Sequence, residues 1–525
     1  MKRERRMQVS VRVSLVFVLL VGMVAVLPAS RVEAAYVNSF DDVVADDGQC
    51  TLREAITAAN TNTASGSSQG ECSAGIAGPS SPDYVNLGPG TYTLSIAGTR
   101  ENANTTGDLD VTERLIIQGA GAGRTIIDAD GIDRVMEVHG VNLIVEDLTI
   151  TGGLAPKGGD SIGFGGASGS PGGGIYNDGG ELTVRRCAVH HNVAGNGGNG
   201  TVGGSDYGGA GGGGGGVASV GGTLTLEDTA VHHNYAGHGG NGGTSSGDGG
   251  DGGAGGGIYT ADATIIRCAV HDNQSGMGGN YGSSGWSSGD PGDGGFGGGI
   301  YVAGTVDIVN TAVSGNKTGN GSGGIKGVGG MGGGIANFGS HELTLQHVTL
   351  VDNLTGNGFM AGGGGGLYGG SSATVNAQNT IFAKNKLGTA AGGPVPLGPE
   401  CYIYNNSLNS QGYNLFWDTT DCTIGGDTTG NVTGADPNFY LLADNGGATP
   451  THALQSSSIA RDPIPNGVNG CGGLFTHDQR GEPRPAGSAC DIGAVEMQAN
   501  EAVGQVSSLS QGETYVFSDA YAALT

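Results

Sequence analysis

Short stretches of alternating apolar and polar residues recur along this chain. In Leu182-Thr183-Val184 the two apolar residues share one face and the threonine takes the other, the pattern of a β-strand with one buried face. The same parity returns in Leu224 and Leu226, Ala263 and Ile265, Val306 and Ile308, and Leu343 and Leu345. Each such strand follows a Gly-Gly-apolar start, at Ile175, Val217, Ile258, Ile300, Ile335 and Leu367. Ten to thirteen residues after that start comes a second register: Cys187, Thr229, Cys268, Thr311, Val348 and Thr380. Two residues on stand Val189, Val231, Val270, Val313, Leu350 and Phe382. Three further on there is always asparagine: Asn192, Asn234, Asn273, Asn316, Asn353 and Asn385.

The units repeat every 32 to 43 residues, but only about 20 residues separate the glycine start from the asparagine, a plausible length for one turn of a parallel coil. The remainder of each unit is a Gly-rich insertion, as in 193–211, 235–254 and 274–296. One rung cannot bury its apolar face alone. Stacking rungs about 4.8 Å apart places Ile on Ile and Val on Val, and leaves open strand edges only at the two ends. The expected fold is therefore all-β: a right-handed parallel β-helix, or solenoid, with Gly-rich loops crowded on one edge. The asparagines are expected at a tight bend, their amides bonding along the stack. Less regular strands at 84–87, 115–118, 125–128, 134–138 and 143–150 read as earlier rungs.

Two features mark the start of the chain. Residues 1–34 combine a basic beginning, an apolar run from Val13 to Leu27 and a small-residue exit, the pattern of a secretory signal cleaved after Ala34. After cleavage no apolar run long enough to span a membrane is left. Further on, Thr51 is a natural N-cap with Glu54 at the capping-box position, and Leu52, Ala55, Ile56 and Ala59 form an apolar stripe. A short helix there would cover the open first rung.

Composition refines this picture. Glycine numbers 111 of 525 residues and is segregated into the insertions, so the 36% of apolar residues suffice for a narrow core. The net charge of −26 disfavours nucleic acid and anionic membranes as partners. Eight cysteines in an exported chain suggest disulfides. Local pairs are expected at Cys50 with Cys72, Cys401 with Cys422 and Cys471 with Cys490. Cys187 and Cys268 share a column with Thr229 between them. Two rungs are about 9.6 Å, beyond the roughly 7 Å reach of a disulfide, so both are expected free.

Cys50-Thr51-Leu52-Arg53-Glu54-Ala55-Ile56, followed by Gly88-Pro89-Gly90-Thr91-Tyr92-Thr93-Leu94, resembles the CSLREAI domain of exported bacterial proteins, with threonine in place of the motif's serine. Asp436-Pro437, Leu442-Ala443-Asp444-Asn445-Gly446-Gly447, Thr449-Pro450-Thr451-His452-Ala453-Leu454 and Cys490-Asp491-Ile492-Gly493-Ala494-Val495-Glu496 together resemble the choice-of-anchor Q domain of bacterial surface β-helix proteins. The repeats are similar to those of polymorphic outer-membrane proteins, with Phe382-Ala383-Lys384-Asn385 fitting their Phe-x-x-Asn element. These resemblances imply a pectin-lyase-like fold at the cell surface and no assigned catalysis. They divide the chain into a signal (1–34), an N-terminal cap (35–100), β-helix repeats (101–399), an anchor-Q-like domain (400–497) and a tail (498–525).

Candidate chemistry is sparse in the sequence. His190, His232 and His271 fall in one column and His191 and His233 in the next, a possible metal-binding row or a solvated corner. Asp248, Asp251, Asp290 and Asp293 lie in Asp-Gly strings that suggest weak calcium binding at most, because neither string follows the calcium nonapeptide. Flexible, loosely packed glycine coils are the expectation there. Arg185, Arg186 and Arg267 stand close in register with Glu227 and Asp228 between them, which reads as cross-rung ion pairing. The rung faces show few carboxylates and no catalytic or cofactor-binding set. The expected role is a secreted or cell-surface structural, adhesive or glycan- or protein-binding element. The alternative is a polysaccharide lyase or glycoside hydrolase.

Overall fold

The computed structural model describes residues 35–498 except 77, 79, 80, 284–287, 324, 325 and 394–396. The expected signal (1–34) and almost all of the tail lie outside the described residues. The described chain forms a right-handed parallel β-helix of 28 paired strands, with one further antiparallel pair near its end. Each rung contributes to three sheets. The first sheet stacks Ile175, Val217, Ile258, Ile300, Ile335, Leu367 and Cys401. The second stacks Leu182, Leu224, Ala263, Val306, Leu343 and Val375. The third stacks Val189, Val231, Val270, Val313, Leu350, Phe382 and Phe416, where the last two rings lie 4.9 Å apart. All of these side chains are buried, and like-on-like stacking makes one continuous core.

The asparagines stand at the bend after the third sheet and form an unbroken amide ladder. Nδ2 of Asn192, Asn234, Asn273, Asn316 and Asn353 each donates to Oδ1 of the asparagine on the next rung, over 2.9–3.0 Å. Oδ1 of Asn234 also accepts from the backbone N–H of Asn192 at 3.1 Å, and the other rungs repeat this bond. Threonines in the second register do similar work. The hydroxyls of Thr229 and Thr311 accept from the N–H groups of Cys187 and Cys268. Both cysteines are free and buried, and burial pushes each thiol up to about 12. The disulfides are Cys50–Cys72, Cys401–Cys422 and Cys471–Cys490.

The helix Leu52–Thr61 carries the full capping box, with Glu54 accepting from the Thr51 backbone N–H at 3.0 Å. Its apolar stripe is buried against the first strands. Arg53 is wholly buried as well, which the stripe alone did not suggest. It pairs with Asp42 at 2.7 Å and donates to the carbonyls of Gly107 and Asp108.

The coil does not end at the boundaries drawn from the sequence. Asp83–Asn86 and Gly90–Thr93 already pair with later rungs, so the coil begins before residue 101. Strands as late as Val432–Thr433 continue it past residue 399. Only beyond them does the chain fold back over the outside of the third sheet. There Phe439, Leu454, Ile464 and Ile492 close a second core on Val351, Ile381, Ala383 and Leu415.

The Gly-rich insertions correct the expectation of loose coils. They emerge together, through parallel bridges from Val193 to Tyr235, Gln274, Lys317 and Leu354. Each runs out and back, and its backbone bonds to neighbouring legs. Gly209 donates to Gly198, Gly240 to Gly209, Gly250 to Gly240 and Gly279 to Gly250, all at 2.8 Å. The outward residues recur every third position, as in Asn196 and Asn199 or His238 and Asn241, which matches three-residue polyproline-II geometry. Space, not backbone freedom, demands glycine here: none of these glycines has a positive φ, but a Cβ on Gly240 would meet the Gly198 carbonyl oxygen at 1.9 Å.

Candidate functional site

Residues that follow the inward column of the first sheet point outward, and they form a column of their own. It runs Asp110, Glu137, Tyr176, Ala218, Tyr259, Tyr301, Ala336, Tyr368 and Tyr402. The rings of Tyr259 and Tyr301 stack at 5.0 Å, and Phe296, Phe338 and Tyr368 form a second stack at 5.4 and 6.1 Å. Stacked rings cover one another's faces, so the half-buried Tyr176, Tyr259, Tyr301 and Tyr402 present ring edges and phenol groups outward, while Tyr368 is buried beneath its neighbours. Burial raises the pKa of Tyr259, Tyr301 and Tyr368, keeping each phenol a neutral donor.

At the N-terminal end this stripe meets a group of carboxylates that the sequence reading missed. Asp108 and Asp110 flank the inward Leu109, and Asp133 and Glu137 lie one rung on. His139 Nε2 lies 2.8 Å from Asp110 Oδ1, and Arg134 bonds both Asp108 and Glu137. The Arg134 guanidinium also sits over the Tyr176 ring at 5.3 Å, while its Nε has no hydrogen-bond partner. Four carboxylates around one arginine cannot all ionise cheaply. Burial pushes Asp108 up to about 8 and Asp133 to about 6, and it raises Asp110 and Glu137. Asp110, Glu137 and His139 bring their ligating atoms within 4.8 Å of one another. Glu137 and His139 are the partly open members of the group, with 12% and 17% of their side chains exposed. The grouping therefore sets a buried neutral acid and a buried arginine behind the partly open Glu137 and His139, the ingredients of proton transfer.

The histidines lie on the outer face of the third sheet. His190, His232 and His271 stack at 4.9 and 4.8 Å, and His191 stacks on His233 at 5.4 Å. The second member of each pair takes a positive φ, near 55° at His191 and 53° at His233 and Asp272. That turn swings it beside its neighbour, so Nδ1 of His232 and of His233 approach to 2.9 Å, and His271 Nδ1 reaches Asp272 Oδ2 at 2.9 Å. Burial lowers His190 to about 4 and also lowers His191, His232 and His233. The metal row read from the sequence thus changes membership. Among the described residues, the histidine group compact enough to share an ion is His233, His271 and Asp272, without His190 or His232.

Asp248, Asp251, Asp290 and Asp293 do not converge. Asp248 Oδ1 accepts the N–H of Asp290, and Asp251 Oδ1 that of Asp293, at 2.7 and 2.8 Å. They form two surface columns that tie one glycine leg to the next, and neither compact ligand group found among the described residues includes them. The arginine pairing is also shifted by a rung. Arg267 binds Glu227 and Asp228 as expected, but Arg185 and Arg186 bind Glu146 and Asp147 on the preceding rung. A groove of about 540 Å³ lies on the glycine edge, lined by Asn196, Asn199, His238, Asn241 and Met277 and by no carboxylate. Its uncharged amides make it a poorer seat for chemistry than the acidic group.

No family model matches the chain, and no curated protein matches it. Solved structures with a likeness to it include the A-module of Azotobacter vinelandii mannuronan C-5 epimerase AlgE4, at 15% identity and TM-score 0.31 over 75% of this chain and 96% of that one. Pectate lyase Pel9A aligns at 16% identity and TM-score 0.33 over 79% of this chain and 88% of that one.

Proposed function

We propose that this protein is an exported β-helix that binds an extended polysaccharide along the outward face of its first sheet. The single observation behind this reading is the in-register column of Tyr176, Tyr259, Tyr301, Tyr368 and Tyr402, which repeats one amphipathic contact along the coil axis. A repeating polymer fits a repeating surface: phenols bond sugar hydroxyls, and ring edges pack on sugar carbon. The net charge of −26 favours a neutral or amino-sugar chain over a polyuronate, which would need bridging cations. Export is supported by the signal-like start and three disulfides. The resemblances to the CSLREAI and anchor-Q domains support the cell surface as its place. Affinity electrophoresis of the untagged chain against neutral, amino-sugar and uronate polymers tests the reading. Retention by a neutral or amino-sugar polymer is expected, weakened about tenfold in Tyr301→Ala, on the order of 1.4 kcal/mol. Retention by none, or retention untouched by Tyr301→Ala and Tyr259→Ala, would overturn it.

The acidic group supports a second reading, in which the bound polymer is also cleaved. The observation that favours it is Asp108, held protonated near neutral pH beside Arg134, one rung from His139. Incubating the chain with the polymer it retains and measuring new reducing ends or unsaturated products tests this. Products lost in His139→Ala and Glu137→Gln support cleavage; a polymer bound but unchanged after long incubation removes it.

A further inference from the structure

The outer face of the third sheet is remote from the aromatic stripe, and binding of a glycan gives its histidines no task. Three successive rungs there carry the same side-by-side pair: His190 with His191, His232 with His233, and His271 with Asp272. In the third pair, His271 Nδ1 and Asp272 Oδ2 stand 2.9 Å apart. Two ligands each about 2.0–2.1 Å from a tetrahedral zinc-class ion are separated by about 3.3 Å. The pair is now a hydrogen bond, and opening it by a few tenths of an ångström gives the spacing of two ligands on one ion. His233, one rung earlier, brings a third ligating atom within 4.8 Å of both. Its ring is stacked on His191 at 5.4 Å and its Nδ1 faces His232 Nδ1 at 2.9 Å, so its orientation is held from two sides. Asp272 is exposed, which leaves the remaining coordination position open to water.

We propose that His233, His271 and Asp272 bind one zinc-class divalent transition-metal ion, with His232 as the positioning residue for His233. Two imidazoles and one carboxylate suit zinc, nickel or copper rather than calcium, whose sites are built of oxygen ligands. The site spans two rungs, so the ion bridges adjacent turns of the coil. It lies where the C-terminal segment meets the coil: His452, buried there, is within electrostatic reach of His271 and Asp272. A bound ion would therefore staple the coil beside that seam.

The test uses the untagged full chain, stripped with a chelator and then equilibrated with zinc chloride at neutral pH. Elemental analysis after gel filtration is expected to give one zinc per chain. Heating is expected to show a melting temperature that rises with free zinc. His233→Ala and His271→Ala should each lower zinc affinity roughly 100-fold, while His341→Ala, half-buried just before the strand Glu342–Val351, leaves it unchanged. His233 sits at the surface, so its variant keeps the core, which circular dichroism checks. A chain that retains no zinc, or binding equal in the wild type and both folded variants, would sink the proposal.

Discussion

The side-chain amide of Asn385 donates to Oε2 of Glu400 at 2.5 Å, and this bond ends the asparagine ladder. The last amide meets a carboxyl group, not another amide. Glu400 is fully buried, and its other oxygen has no partner. Burial pushes its pKa from 4.5 up to about 8. Below pH 4.5 the group is protonated folded or unfolded, and the folded chain keeps its full stability. Between 4.5 and 8 the unfolded chain releases the proton while the folded chain holds it, so stability falls as pH rises. Urea denaturation from pH 5 to 8 should show this decline, and Glu400→Gln should make it shallower, leaving the part contributed by Asp108 and Asp133. An equal slope in both chains would show that Glu400 does not carry the effect.

Asn273→Ala removes a ladder member with bonds in both directions. It strips acceptors from the Asn234 N–H and amide, and donors from the Val231 and Asn316 oxygens. The Asn234 amide keeps its bonds to the Val189 and His232 carbonyls and Asn316 Oδ1 keeps the backbone N–H of residue 273, so the buried Asn234 N–H is the donor left without an acceptor, at a cost of about 1–3 kcal/mol. The loss is read as a lower denaturation midpoint with an unchanged slope.

Two glycines on the same edge separate space from composition. A Cβ on Gly240 would meet a backbone oxygen at 1.9 Å, whereas one on Gly159 meets nothing within 4 Å. Gly240→Ala should open the glycine stack to limited proteolysis near residues 235–254. Gly159→Ala should stay within about 0.5 kcal/mol of the parent and resist cleavage as the parent does.

Arg53→Leu leaves the Asp42 carboxylate buried without its partner and the Gly107 and Asp108 carbonyls without a donor. Breaking a buried pair from one side costs about 3–5 kcal/mol. Hydrogen exchange should show the helix 52–61 and strand 109–111 losing protection, with the rungs after residue 217 unaffected.

The coil was legible because its columns repeat residue type at a fixed place in each unit. Val189, Val231 and Val270 announce one another, and so do the asparagines. The acidic group was not, because Asp108, Asp110, Asp133 and Glu137 lie in early rungs whose strands carry no shared start from which to align them. The aromatic stripe left a signal in the sequence: a tyrosine directly follows the aligned apolar residue at 176, 259, 301 and 368. The glycine stack was hidden for another reason. Its order comes from bonds between units about 40 residues apart, whereas glycine content by itself describes only how freely each residue can turn.

That stack also gives the molecule a mechanical property. From Leu154 to Lys386 the coil and the glycine legs are two bonded columns running side by side, joined rung by rung through Val193, Tyr235, Gln274, Lys317 and Leu354. Bending such a body must stretch hydrogen bonds on one side and compress them on the other. The farther apart the two columns stand, the greater that strain for a given curve. The glycine edge thus acts like the flange of a beam, stiffening the coil along the rungs over which a bound polymer would lie.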